Sequence, residues 1–244
     1  MIYQNLLLAK KQGRKLLAIL LDPDKISLSK LSDTLAKINS STVDYIFVGG
    51  STVEKGVTDE LVYRLKKETR IPVILFPGHY SQITSHADAI LFLSLISGRN
   101  PEYLISQQVK AVPMIKRSGL EVIPTGYILI DGGKESSVQK ISETEPIKPL
   151  DLEEITHTAC AGMYMGKKII YLEAGSGALA PVSASIIKSV KENISIPLIV
   201  GGGIRSENEM RRAFESGADL VVIGTAFEEN NNLLTKIMKN EHIH

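Results

Sequence analysis

Four stretches of the chain gather residue types that hold hard cations, bind anions or move protons, and each follows directly on a short apolar run. In LLDPDK, residues 20–25, Asp22 and Asp24 straddle a proline. As structure alone, Asp-Pro opens a turn and then a helix. As chemistry, a carboxylate there can hold Mg2+ together with ligand phosphates. In VGGST, residues 48–52, paired glycines let backbone approach a ligand, and the Ser51 or Thr52 hydroxyl can join a metal or a phosphate oxygen. A tight turn is the plain alternative.

The third stretch is IIYLEAGSGA, residues 169–178. Side chains two apart on a strand share a face, so Tyr171 and Glu173 point the same way. A carboxylate in that position can act as a general base while the tyrosine hydroxyl orients a substrate oxygen. Gly175, Ser176 and Gly177 then offer backbone N–H groups and a hydroxyl to an anion. A buried ion pair is the competing role for Glu173, but the other apolar runs supply no evident basic partner. The fourth is a pair, VGGGIRS at 200–206 and IGTAFE at 223–228, each a glycine turn feeding a helix N-terminus, where unpaired N–H groups and the helix dipole favour phosphate.

Other chemistries find no footing. The chain has no G-x-S-x-G elbow, Walker lysine loop, dinucleotide glycine fingerprint or H-E-x-x-H helix. His79, His86 and His157 are scattered; His79 reads as a solvated loop residue and Cys160 as a packed helix residue.

The elements that must position these stretches recur. Eight β-branched apolar runs, at 16–21, 43–48, 71–76, 89–93, 121–125, 168–172, 196–200 and 220–223, are each followed by a turn and a helix-like segment. Continuous apolar strands indicate a parallel sheet buried on both faces, and strand-helix alternation indicates βαβ units. Eight units over 244 residues predict one domain, residues 1–244, folded as a single (β/α)8 TIM barrel. Active sites of that fold lie at the C-terminal strand ends, where all four stretches fall, and its phosphate site recurs after strands seven and eight. Helices are expected at 60–69, 183–192 and from Ser206, where Ser206 and Glu209 form a capping box and Gly217 ends the helix. Residues 128–151 read as a long loop with a short helix covering the ligand, and 230–232 as a loop before a terminal helix.

With 28 basic and 27 acidic residues the formal charge is +1, which supplies no field for nucleic acid or an anionic membrane. The single cysteine excludes an intrachain disulfide framework, and no apolar run spans a bilayer. A cytoplasmic protein with at most peripheral membrane contact is expected.

Together, LLDPDK, VGGST, YLEAGSGA, VGGGIRS and IGTAF resemble the geranylgeranylglyceryl phosphate synthase family. The likeness covers nearly the whole chain, taking in LFPG at 75–78, ADAILFLSLISGRNPEYLI at 87–105 and PTGYILIDGG at 124–133, and is closer to the family's second group than to the shorter heptaprenyl enzymes. The resemblance implies Mg2+-dependent transfer of a polyprenyl group, geranylgeranyl, from its diphosphate to the 3-hydroxyl of sn-glycerol 1-phosphate, the first ether bond of archaeal-type lipids. It implies Asp22 and Ser51 as Mg2+ ligands. For glycerol phosphate it implies Tyr171, Leu172, Glu173, Ala174, Gly175, Ser176 and Gly177, then Gly201, Gly202, Gly203, Gly224 and Thr225, with Glu173 as base and Tyr171 beside it. A homo-oligomer is also implied. The phosphate signature alone would equally suit a sugar-phosphate isomerase or aldolase, but Asp22 with Ser51 and the lack of a strand-end Schiff-base lysine favour the prenyltransferase. A non-catalytic binding barrel would need neither Glu173 nor a metal.

Overall fold

Alternation of inward and outward apolar side chains builds the molecule. The computed structural model describes residues 1–224, in which β1 (Leu16–Leu21), β2 (Tyr45–Val48), β3 (Val73–Leu75), β4 (Ala89–Leu95), β5 (Glu121–Leu129), β6 (Ile169–Glu173), β7 (Leu198–Gly201) and β8 (Leu220–Ile223) run parallel in sequence order. The ring closes where β8 pairs with β1. Leu16, Ala18, Tyr45, Phe47, Ile169 and Tyr171 fill the inside, while Leu17, Ile19, Leu21, Ile46, Val48 and Leu172 pack outward. Each such large side chain removed from water contributes roughly 1.5–3 kcal/mol before entropy is charged against it.

Around the strands lie α2 (Leu31–Asn39), α3 (Val57–Glu68), α4 (Gln107–Ser118), α5 (Ser137–Ser142), α6 (Leu152–Tyr164), α7 (Ala184–Asn193) and α8 (Glu207–Glu215). Ahead of them, α1 (Ile2–Lys11) closes the barrel floor with Ile2, Leu6 and Ala9. Its first N–H groups, from Ile2 and Tyr3, donate to the Glu121 carboxylate at 2.5 and 3.0 Å, tying the helix to the start of β5. The expected capping box at Ser206 is present, and Gly217, at φ +118°, turns the chain out of α8.

An aspartate before an even strand repeatedly fastens the odd strand beside it. Asp44, Asp88 and Asp219 accept the N–H groups of Leu17, Val73 and Leu198 at 2.9, 2.8 and 2.8 Å. Each also pairs with a base, Arg14, Lys66 and Lys191 respectively. These clamps lie at the N-terminal end of the barrel, away from the mouth.

Two departures from the sequence expectation matter for function. No helix follows β3: the chain makes one 3-10 turn at Tyr80–Gln82, because Gln82 is drawn inward, its Oε1 accepting from Gly78 N–H at 3.2 Å and its Nε2 donating to the Gly50 carbonyl at 2.9 Å. The groove between β3 and β4 therefore lacks the helix that would pack there, and the outward Phe92 on β4 is only half-buried. Second, β5 runs on to Leu129, held by β4 through Leu95 and Tyr127 and by β6 through Leu129 and Glu173. The loop after β5 carries the short α5, as expected, and is pinned by the Ile130–Ile147 bridge. Residues 230–232 lie outside the described residues.

Candidate active site

At the C-terminal ends of the strands a cleft of about 360 Å³ enters the barrel. Its floor is aromatic: Tyr171 stacks on Phe76 with ring centres 5.1 Å apart at 16°, and Tyr127 tilts against both at 5.3 and 5.8 Å. Tyr127 faces Tyr171 in register across β5 and β6, which is why two inward positions meet there. Burial, followed by the nearby Glu173 charge, raises both phenols well above their usual range, so both remain protonated.

Glu173 ends β6 with only 6% of its surface exposed. Burial raises its carboxyl to about 7, against opposing pulls from the Gly175 N–H, which donates to Oε1 at 2.8 Å, and from the Tyr171 hydroxyl. That hydroxyl adjoins the carboxylate without well-formed hydrogen-bond geometry and is a buried oxygen with no partner among the described residues. Glu173 has no ion pair in the described residues, so the structure leaves a buried carboxylate poised near neutrality at the edge of the cleft. That property suits a general base better than a structural anchor.

The glycine turns sit against this pair. Gly202 has φ +82°, and a Cβ there would lie 2.2 Å from Glu173 Oε1, so glycine is demanded by both conformation and space. At Gly224 the nearest side-chain atom to a Cβ would be Leu20 at 3.7 Å, so packing among the described residues does not require glycine and the room faces the cleft. Ser176, Gly177, Gly202, Gly203 and Gly224 all line the cleft.

Across the mouth, Asp22 and Ser51 line the same cleft. Asp22 Oδ1 accepts the Asp24 N–H at 3.2 Å and lies where a Gly50 Cβ would meet it at 2.9 Å, while Oδ2 is 3.1 Å from Lys25 Nζ. Asp24 also lines the cleft and accepts the Glu54 N–H at 3.4 Å. No trio of His, Cys, Asp or Glu among the described residues converges on a metal. A carboxylate and a hydroxyl lining one cleft fit a hard cation that takes its remaining oxygens from phosphate and water.

Several expected positions are placed differently. Leu172 and Ala174 belong to the outer core, and the Ala174 N–H is taken by the Gly201 carbonyl, so neither side chain reaches the cleft. The Gly175 N–H is engaged by Glu173, and Gly201 lies behind Tyr171, where a Cβ would come 2.3 Å from the hydroxyl. Strand parity turns Leu172 and Ala174 towards the helices, the Gly175 N–H is consumed in bracing the base, and the inward Gly201 is filled over by the Tyr171 ring. His79, for which a place at the mouth competes with a solvated loop role, lines the cleft half-buried, its ring against Tyr80 and its proton affinity lowered by burial and then by Lys110. Cys160 packs against the outer core as expected. Thr225 lies outside the described residues. Phe76, Tyr127 and Arg205 are cleft residues that the motif reading does not single out. Inward parity marks the first two, and Arg205 directly follows the glycine turn.

The fold and the mouth define a (β/α)8 barrel whose ligand site combines glycine turns, a buried carboxylate and an aspartate on the facing strand end. The PcrB family model matches residues 10–241, and the chain belongs to that family. It is 54% identical over 231 residues, 95% of both chains, to the geranylgeranylglyceryl phosphate synthase of Flavobacterium johnsoniae. The wild-type GGGPS of Thermoplasma volcanium superposes with a TM-score of 0.91 at 36% identity over the full length of both chains. The (S)-3-O-geranylgeranylglyceryl phosphate synthase of Thermoplasma acidophilum, solved with its substrate sn-glycerol-1-phosphate, also gives 0.91, at 32% identity over 98% of this chain and 97% of its own.

Proposed function

We propose that this protein transfers a geranylgeranyl group from its diphosphate to the 3-hydroxyl of sn-glycerol 1-phosphate. The observation that carries the reading is the unpaired, buried Glu173 beside the glycine turns, in a cleft that continues into the flank left bare after β3. Ile83, Ile90, Phe92 and Ala111 line that continuation, and Ile90 also packs in the outer core, so the cleft extends past the barrel rim into apolar surroundings. Small phosphorylated sugars need no such extension. A polyprenyl chain does.

Glycerol phosphate would sit with its phosphate at Ser176, Gly177, Gly202, Gly203 and Gly224 and its 3-hydroxyl between Glu173 and Tyr171. The ether bond forms between that oxygen and the allylic C1 while the bond from C1 to diphosphate breaks, the pair of electrons leaving with diphosphate. The hydroxyl proton passes to Glu173, and the Tyr171 hydroxyl, otherwise unpartnered, orients the attacking oxygen. Asp22 and Ser51 would hold Mg2+, which when bound supplies charge neutralisation to the diphosphate. No helix of the described residues is long and apolar enough to cross a membrane.

Incubation with labelled sn-glycerol 1-phosphate, geranylgeranyl diphosphate and Mg2+ tests the reading. Labelled prenylglyceryl phosphate is expected, and its formation should stop with excess EDTA. Absence of product at saturating substrates would overturn the transferase assignment; product unaffected by EDTA would overturn the metal.

A further inference from the structure

The glycine turns supply the phosphate with N–H dipoles, yet a phosphate monoester carries close to two negative charges at neutral pH. Two cations reach the turn that follows β6, from loops on opposite sides of it. Arg205, after β7, lines the cleft and donates from Nη2 to the Ala178 carbonyl at 2.6 Å. Lys134, on the loop between β5 and α5, extends over the same turn: a Cβ at Gly177 would lie 3.9 Å from its Nζ. Neither side chain pairs with a carboxylate among the described residues.

The loop that carries Lys134 is held in place. Leu179 and Ala180 N–H groups both donate to the Gly132 carbonyl, at 2.8 and 3.3 Å, and the Gly133 N–H donates to Asp131 Oδ1 at 2.8 Å. Gly132 is packed so closely that a Cβ would come 2.4 Å from the Ala174 carbonyl oxygen. Ser136, buried, caps α5 by accepting the Gln139 N–H at 3.1 Å, and a Gly175 Cβ would meet its own Cβ at 2.8 Å. The β5 loop is thus bolted to the β6 turn on both sides of Lys134, whose backbone has little freedom while its ammonium remains exposed and unpaired.

We infer that Lys134 is a phosphate-binding residue of this site, bringing its ammonium to the phosphate of the glycerol substrate across the Ser176–Gly177 turn, with Arg205 bracing that turn from the other side. The inference rests on the functional reading above and deepens it: charge selection for a dianionic phosphate comes from the β5 loop as well as from the glycine turns. An ammonium at this distance is screened by solvent, so its effect is salt-dependent and moderate, about tenfold in affinity at low ionic strength.

The test compares wild type, Lys134→Met and Lys134→Arg in steady-state kinetics and in calorimetric binding of sn-glycerol 1-phosphate and of inorganic phosphate, at low and high salt. Lys134→Met should raise the KM for glycerol phosphate about tenfold, weaken both ligands alike, flatten the salt dependence and leave the KM for geranylgeranyl diphosphate in place; Lys134→Arg should restore most of the loss. Wild-type binding that is undiminished in Lys134→Met, with the same salt slope, overturns this inference alone. A wild-type protein that binds neither glycerol phosphate nor inorganic phosphate overturns the functional reading and this inference with it.

Discussion

Gly202 backs directly onto Glu173: a single carbon added to the glycine would stand 2.2 Å from Oε1 of the carboxylate and 2.8 Å from the backbone nitrogens of Ala174 and Gly175. The phosphate-type turn and the base are therefore one packed unit, although they come from different strands. A substitution at Gly202 cannot act on phosphate alone.

Gly202→Ala and Gly224→Ala should consequently part company. At Gly202, φ +82° disfavours any Cβ and the added carbon displaces Glu173, so kcat should fall at least tenfold and the melting temperature should drop. At Gly224 the new methyl meets only Leu20 at 3.7 Å among the described residues, so stability should hold while the KM for glycerol phosphate rises. Kinetics for both substrates beside a thermal melt distinguish the two; matching profiles would mean the turns are not coupled to the base as described.

Glu173→Gln should have opposite effects on rate and stability. Loss of the base lowers kcat by roughly 10²–10⁴-fold. Burial raises the folded carboxyl from 4.5 to about 7, so the native state holds a proton more tightly than the unfolded chain. Stability thus falls as pH rises from about 4.5 to 7 and stays lower above that, by about 3 kcal/mol in order of magnitude. The amide cannot ionise and escapes this penalty. Denaturation at pH 8 should find the variant more stable than wild type, with the gap closing towards pH 4.5; a variant less stable at pH 8 would point to a structural ion pair instead.

The same ionisation sets the rate profile. In wild type kcat/KM should climb with pH through about 7 as Glu173 of the free enzyme loses its proton, since a protonated carboxyl cannot accept the substrate's. In Glu173→Gln that limb should vanish, leaving a low and flat profile. A limb that survives in the variant would belong to another group.

How far the sequence discloses this site depends on what each residue needs from the rest of the chain. Tyr171 and Glu173 are legible because period two on one strand puts them on one face, and the glycine turns are legible because strand ends are marked by where the apolar runs stop. Leu172 and Ala174 show the limit of a contiguous motif: strand parity sends one outward and strand pairing occupies the other's N–H. Phe76 and Tyr127 join the floor only once three strands are brought together. The missing helix after β3 is visible in hindsight in FPGHYSQITSHAD, which lacks a 3.6-residue apolar period, but its cause is a long-range bond from Gln82 to Gly50. Lys134 gives no motif signal at all; its relevance lies in the clamp between two loops.

Asp22→Asn tests the metal assignment. The change keeps the Asp24 N–H acceptor at Oδ1 but removes the charge that would meet a cation and that now pairs with Lys25. Turnover should fall by about 10²-fold or more, in line with losing a charged group that stabilises a departing anion, while calorimetric affinity for glycerol phosphate stays the same. Unchanged turnover at saturating Mg2+ would remove Asp22 from the site.

The missing helix between β3 and β4 gives the last prediction. In a closed barrel the helix that follows a strand packs between it and the next, and without one after β3 the outward Phe92 on β4 stays only half-buried, which sacrifices apolar burial. Here that surface lies in the cleft with Ala111 from α4, so an apolar ligand can replace the absent helix. Ala111 is almost fully buried, and a larger side chain there must project into the passage. Ala111→Phe should therefore cut transfer from geranylgeranyl diphosphate at least tenfold while transfer from a ten-carbon prenyl diphosphate, too short to pass the obstruction, remains near wild type. Burial of the added ring could also disturb α4, so circular dichroism and a thermal melt accompany the kinetics. Equal losses on both donors in a variant with an unchanged melt would show that the polyprenyl chain leaves the mouth by another path.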